Sequence, residues 1–534
     1  MSITSFSFFF FVCAVLLLYF LVPRRFQWVV LLLASCAFYL SYGAQYILYV
    51  LFTSVTVYFA TVYMQDIADR QRAWLKSEGK TLEKEEKNRI KAENRKRKKR
   101  AMLAALLANL LVLCVFKYAH FAIEQLNAVL RLLGVQPIED RLRLIAPLGI
   151  SFYTFQMIGY LVDVYWENVK AERSFFKTLL FCSFFPQITQ GPISEFGNLA
   201  EQLFTEHAFT YKNYSWGMQR MCWGFFKKMV IADALAPLVE DVFAHYGVYT
   251  GITTLIGAFL YSIQIYTDFS GYMDIMCGLC EVMGIRLTEN FERPYFSKSV
   301  AEYWRRWHIS LGVWFKRFIY YPIGISKWNR ALGRICREKF GRKFGDMLPA
   351  SVALVVVWLA TGLWHGASWA YIVWGLVNGL FIILGLWLDP VYAACRAKLH
   401  INESSRLWHA FQTLRTFVLV TFIKVLPEVG TLSEGWGLWM RIFTNHEIPG
   451  SLRKLLPFLD WSSLFTLSHF GMAMLGTVCL FCFSLIERRR PVRSYTEKWP
   501  MPLRAAALGC LFFLIFTFGI QNSWEGGGFL YAQF

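Results

Sequence analysis

Residues 348–388 read LPASVALVVVWLATGLWHGASWAYIVWGLVNGLFIILGLWL, with no Lys, Arg, Asp or Glu. A helix needs about 20 apolar residues to cross the hydrocarbon core of a bilayer. This stretch is long enough for two crossings, 348–364 and 368–388, and TGLWHGASW (361–369) lies between their centres. Gly362 and Gly366 bracket His365 there, and Trp364 and Trp369 supply bulky walls. An ionisable side chain at membrane depth is costly and marks a functional candidate. Small residues four apart allow helices to approach closely, or allow a break that exposes backbone.

The same apolar pattern recurs at 6–22, 27–43, 46–64, 101–121, 144–165, 251–283, 407–426, 465–486 and 502–520. Two further segments are ambiguous: 175–190 is short, and 213–238 carries Arg220, Lys227, Lys228 and Asp233. Across 534 residues, 56% are hydrophobic and 17% charged, against roughly a quarter charged in soluble domains. That leaves too little charged surface for a soluble globule and far too much apolar content for a disordered chain. The expected fold is all-α: a multi-pass integral membrane protein with about eleven to twelve transmembrane helices plus re-entrant or interfacial helices. It is read as one membrane-embedded domain over 1–534.

The net charge is nevertheless +19, and it is segregated. Residues 65–100 contribute fourteen Lys/Arg and seven Asp/Glu, residues 316–343 nine and one, and residues 487–493 four and one. Basic clusters beside apolar spans are retained on the cytoplasmic side. Tracing crossings between them places the N-terminus outside, 65–100, 316–343 and 389–406 inside, and 427–464 and the C-terminus outside. An even number of crossings is then needed between 177 and 316, so one of the segments 175–190, 213–238 and 251–283 is expected to be re-entrant. The run RKRKKR (95–100) abuts a span, which favours anionic lipid headgroups over nucleic acid as its contact.

A second constellation is AEYWRRWHISLGVWFKRFIYYP (301–322). Trp304, His308, Leu311 and Phe315 follow the i, i+4, i+7, i+11 spacing of one helix face. The stretch is therefore expected to be an amphipathic interfacial helix, with His308 on its apolar face and Arg305 on another. In FFPQITQGPISEF (184–196), Gln187 and Gln190 stand beside Pro186, Gly191 and Pro192. That composition breaks a helix, and irregular backbone at membrane depth must be buried in protein or line a cavity. Asp268 and Asp274, in YTDFSGYMDI (266–275), point to different faces and do not form an acid/base dyad. The CxxC pairs Cys277/Cys280 and Cys479/Cys482 lack a second ligand cluster and read as packing. No metal site is expected.

A buried histidine without an adjacent Ser or Cys nucleophile suits general-base work, because a neutral imidazole accepts a proton from a hydroxyl near neutral pH. A basic inner face suits an anionic, phosphate-bearing donor. At these residues the sequence resembles the membrane-bound O-acyltransferase family, in its bacterial alginate O-acetyltransferase-like branch. The resemblance is carried by PLGISFYTFQ (147–156), FFPQITQGPISEF, YTDFSGYMDI, ENFERPYFSKSVAEYWRRWHISLGVWF (289–315) and TGLWHGASW. FKYAHF (116–121) and FLYAQF (529–534) also fit.

The resemblance implies a ring of helices around a thinned centre. His365 would be the essential histidine and His308 the second, motif-borne one. Trp304, Arg305, Arg306, Trp364, Gln187 and Gln190 would line the substrate path. No cofactor would be bound; the donor would be acetyl-CoA or another acyl thioester, including one on a carrier protein. The implied partners are an SGNH-type acyltransferase outside the cytoplasmic membrane or a polysaccharide export complex. Three other readings stay open at this point: D-alanyl-type transfer from a carrier protein to teichoic acid, a proton-coupled transporter or flippase using Asp268, Asp274 and the histidines, and a non-catalytic scaffold.

Overall fold

In the computed structural model, residues 1–77, 83–141, 144, 147–448, 450–488 and 491–520 are described. Their regular structure is helical, with one isolated bridge between Phe291 and Trp307. Among the described residues, six helices are long and apolar enough to cross a membrane: 44–77, 84–132, 342–365, 369–387, 464–486 and 501–518. Phe6–Leu21 is a shorter apolar helix. The remaining expected spans are helical too: Gln27–Leu40, Ile150–Tyr165, Gly251–Val282 and Arg406–Val425. The FLYAQF tail lies outside the described residues, as do residues 78–82 and Arg489 and Arg490 of the third basic cluster. The chain packs as two compact units, Met1–Gly217 with Leu279–Thr288, and Met218–Gly278 with Glu289–Phe534.

In the first unit, the charged 65–100 insert is helical over 65–77 and 84–100. Ile47–Ser77 and Lys84–Leu132 run antiparallel, each continuing an apolar span into a polar extension. Asn109 donates to Thr56 at 3.0 Å and Asn94 to Gln71 at 3.1 Å, which fixes their register. The extension is tied down where the chain returns: Arg173 pairs with Asp66 at 2.6 Å, and Lys98 with Glu167 at 2.5 Å.

The segment expected at 175–190 divides into Phe175–Ser183 and a single turn, Phe185–Ile188, before an irregular stretch up to Phe196. Pro186, Gly191 and Pro192 prevent continuous helix there. The irregular backbone is buried in protein, as the cost of unpaired peptide groups demands. The Phe185 amide donates to Ser35 Oγ at 3.1 Å, and Gln156 donates to the Phe181 carbonyl at 2.8 Å. PLGISF presses directly onto it. Gly149 has φ +69°, and a Cβ there would sit 1.6 Å from the Ile188 carbonyl oxygen. Gly149→Ala therefore meets both a left-handed backbone and a backbone clash, and should cost about 2–4 kcal/mol. Thermal unfolding in detergent checks this.

In the second unit, the ambiguous 213–238 segment is explained by its partners. Tyr211–Phe225 continues through a π-helical turn, Phe226–Ala232, into Asp233–Ala244. Its charges face Gly251–Val282. Lys228 Nζ lies 2.7 Å from Asp268 and 2.8 Å from Asp233. Lys227 pairs with Asp274 at 2.6 Å, and Arg220 with Asp274 at 2.9 Å and Glu289 at 2.5 Å. Close approach is permitted by Gly224 and Gly271. A Cβ on either would fall within 3 Å of the other's carbonyl oxygen, at 2.7 and 2.9 Å. These carboxylates therefore neutralise buried cations, and the pairing removes the need to solvate either sign. Between 427 and 464, Leu432–Thr444 starts at a capping box formed by Thr431 and Glu434.

Candidate active site

His365 is the last residue of the helix Arg342–His365, and Ser368 caps the next helix, Trp369–Trp387. The apolar run of 348–388 is thus a helical hairpin with His365 at its apex. The glycines decide how tightly it closes. A Cβ on Gly362 would lie 2.5 Å from the Tyr371 carbonyl oxygen, and one on Gly375 2.4 Å from that of Trp358. A Cβ on Gly366 would enter the Tyr371 ring, at 2.1 Å. The imidazole is held among aromatic rings: Trp374 at 4.8 Å, Trp364 at 5.0 Å and Tyr371 at 6.4 Å between centroids. His365 is only 5% exposed.

The stretch carrying His308 differs from expectation. The continuous amphipathic helix over 301–315 is interrupted: Val300–Arg306 ends, Trp307 is extended, His308 sits at φ +47°, and Ile309–Phe315 begins anew. The preceding strand-like segment imposes the break. The Glu292 amide donates to the Arg306 carbonyl at 3.0 Å, the Ile309 amide to the Asn290 carbonyl at 3.1 Å, and the Ser310 amide to Asn290 Oδ1 at 2.9 Å. Backbone groups that a helix would have used internally are satisfied across the loop instead. The break turns His308 inward, to 1% exposure, with its ring 5.0 Å from Phe269 and 6.1 Å from Trp364.

Both histidines therefore adjoin one indole, that of Trp364. Trp304 completes the wall. Its ring lies 4.9 Å from Trp358 and 5.5 Å from Trp374, and its Nε1 donates to Asn378 Oδ1 at 2.9 Å. The arginines do not join them: Arg305 is exposed, and Arg306 pairs with Glu302 at 2.6 Å. Gln187 and Gln190 belong to the first unit. Gln187 donates to the Pro192 carbonyl at 3.0 Å and to Ser194 Oγ, while Gln190 is fully buried and its amide makes no hydrogen bond within the described protein.

Two residues of this region went unread in the sequence. Asn378 is the sole Asn in the apolar run 348–388, and Lys424 interrupts the apolar span 407–426. Both are polar side chains at membrane depth, the property that marks His365.

Residues 170–334 match the family model described as MBOAT, membrane-bound O-acyltransferase family, a range that includes His308. The chain is 32% identical over 429 residues to "Probable alginate O-acetylase AlgI" of Pseudomonas aeruginosa, covering 80% of this chain and 72% of that one. It is 31% identical over 489 residues to the protein of the same name from Azotobacter vinelandii, covering 92% and 84%. The peptidoglycan O-acetyltransferase of Helicobacter pylori is 31% identical over 327 residues, covering 56% of this chain and 57% of its own length. The chain belongs to the membrane-bound O-acyltransferase family. It is a membrane O-acyltransferase, and the aromatic-walled pair of histidines lies in the motifs through which the sequence resembles that family.

Proposed function

We propose that this O-acyltransferase moves a short acyl group, acetyl, from a cytoplasmic thioester to hydroxyls of an extracytoplasmic polysaccharide, directly or through a partner acyltransferase. The observation that carries this reading is the burial of His308 and His365 next to the indole of one wall residue, Trp364. The names of the relatives, two alginate O-acetylases and a peptidoglycan O-acetyltransferase, support acetyl as the group and a glycan as the acceptor.

In the proposed reaction, neutral His365 takes the proton of the acceptor hydroxyl as its oxygen attacks the thioester carbonyl. The C–O bond forms, the C–S bond breaks, and the imidazolium returns the proton to the departing thiolate. His308 and Trp304 orient the acyl end of the donor. The exposed Arg305, with Arg306, joins the basic 316–343 stretch in attracting the phosphates of a coenzyme A-type donor from the cytoplasmic side. The protein resides in the bacterial cytoplasmic membrane with both termini outside and works with an SGNH-type acyltransferase or an export complex. A proton-coupled transporter reading is less favoured, since Asp268 and Asp274 are committed to buried lysine and arginine partners.

Sidedness tests this. Acetyl-labelled coenzyme A is supplied to oriented membrane vesicles, inverted and right-side-out. Label should reach the extracytoplasmic acceptor only when the donor faces the basic loops. Transfer from the opposite face would overturn the proposed direction. Transfer solely from a carrier-protein thioester would replace acetyl-CoA with a D-alanyl-type donor.

A further inference from the structure

Lys424 lies in the last turn of the helix Arg406–Val425 and is 6% exposed. Its ammonium sits 3.7 Å from the centroid of Trp307, 4.9 Å from Tyr295 and 5.2 Å from Tyr303. It also donates a hydrogen bond to Tyr295 Oη at 2.9 Å, and Tyr295 in turn donates to the Ser262 carbonyl. The ammonium lies closest to the Trp307 ring, while it meets Tyr295 at the hydroxyl end of that ring. Trp307 is the extended residue of the two-residue break, and His308 follows it directly. On the same helix, Ile423, with Leu426 just beyond its end, packs against Trp374, the ring nearest His365.

We infer that Lys424 is a positioning residue for His308: its ammonium, boxed by Tyr295, Tyr303 and Trp307, holds the Trp307–His308 break that presents the imidazole to Trp364. The contact with Trp307 is geometrically demanding, since the charge must lie over the indole face and not its edge, and the hydrogen bond to Tyr295 Oη holds the ammonium there. Losing the ammonium frees the Trp307 ring and leaves the break held by the Asn290 and Glu292 hydrogen bonds alone. The Trp307–His308 segment then opens more often, and His308 spends less time against Trp364.

The inference rests on the proposed role of His308 only for its effect on turnover. Its geometric part is read separately. Lys424→Met keeps length and removes charge; Lys424→Arg keeps charge and stacks on aromatic faces; Tyr295→Phe deletes only the hydrogen-bonding oxygen. Each full-length variant is purified in detergent, treated with diethyl pyrocarbonate, and scored by mass spectrometry for carbethoxylation at His308. Labelling should rise about threefold or more in Lys424→Met, through local opening, rise less in Tyr295→Phe, and stay at the wild-type level in Lys424→Arg. Turnover should fall by up to about tenfold in Lys424→Met with the donor KM unchanged, no further than removal of the His308 ring itself would take it. Wild-type labelling in both Lys424→Met and Tyr295→Phe overturns the inference. Raised labelling with unchanged turnover upholds the positioning and removes His308 from the reaction instead.

Discussion

His365→Ala should lower acyl transfer by about 10²- to 10⁴-fold, the range a positioned general base supplies, while the protein remains in the membrane at wild-type abundance. The substitution also empties part of an aromatic enclosure, so a second variant separates chemistry from packing. His365→Gln retains most of the volume and a polar end but offers no titrating nitrogen near neutral pH. If the imidazole acts on the proton, Gln should be as inactive as Ala. If His365 only fills space between Trp364, Trp374 and Tyr371, Gln should recover most of the activity. His308 calls for a different replacement. Its φ of +47° is tolerated by Asn far better than by most residues. His308→Asn therefore removes the ring without straining the break, and should cost about tenfold in turnover, the equivalent of roughly 1.4 kcal/mol. Single-turnover transfer in membranes, normalised to folded protein, reads all three.

The hairpin at 348–388 and the site at its apex were legible because a long run free of charge contained one histidine between glycines. Burial of that histidine follows from the same arithmetic that predicts the spans. The break at Trp307–His308 was not legible, because Trp304, His308, Leu311 and Phe315 keep helical spacing straight across it. The hydrogen bonds that impose it come from Asn290 and Glu292, whose own sequence gives no sign of where their partners lie. The consequence matters for function: spacing put His308 on the same face as Trp304, whereas the left-handed residue turns it to Trp364. The charges of 213–238 counted against a span when read alone. Lys228 finds Asp268 forty residues on, and a cation paired in that way no longer speaks against burial. Arg305 and Arg306 were expected from their place in the motif to line the substrate path; Arg305 is exposed and Arg306 pairs with Glu302.

Lys228→Met should destabilise the protein by about 3–5 kcal/mol, the cost of removing one partner from a buried ion pair. The geometry makes this the harshest change in the charge network. One ammonium serves two carboxylates, Asp233 and Asp268, whose side chains are 5% and 2% exposed. Methionine fills the space but leaves both carboxylates in a medium that cannot solvate them. Asp268→Asn is the milder control: it keeps the shape and a hydrogen-bond acceptor, and Asp233 still faces Lys228. Lys228→Met should lower the unfolding temperature in detergent by about 5 °C or more, and Asp268→Asn by clearly less. The effect should also reach the site. Asp268 precedes Phe269, whose ring meets His308 at 5.0 Å. Gly224 and Gly271 hold the two charged helices at a separation that any loosening of the ion pairs would widen. Turnover measured below the unfolding temperature should therefore fall in Lys228→Met even where the protein is folded. A variant with wild-type unfolding temperature and wild-type turnover would show that Lys228 neither pairs with these carboxylates in the membrane nor fixes the wall on which His308 rests.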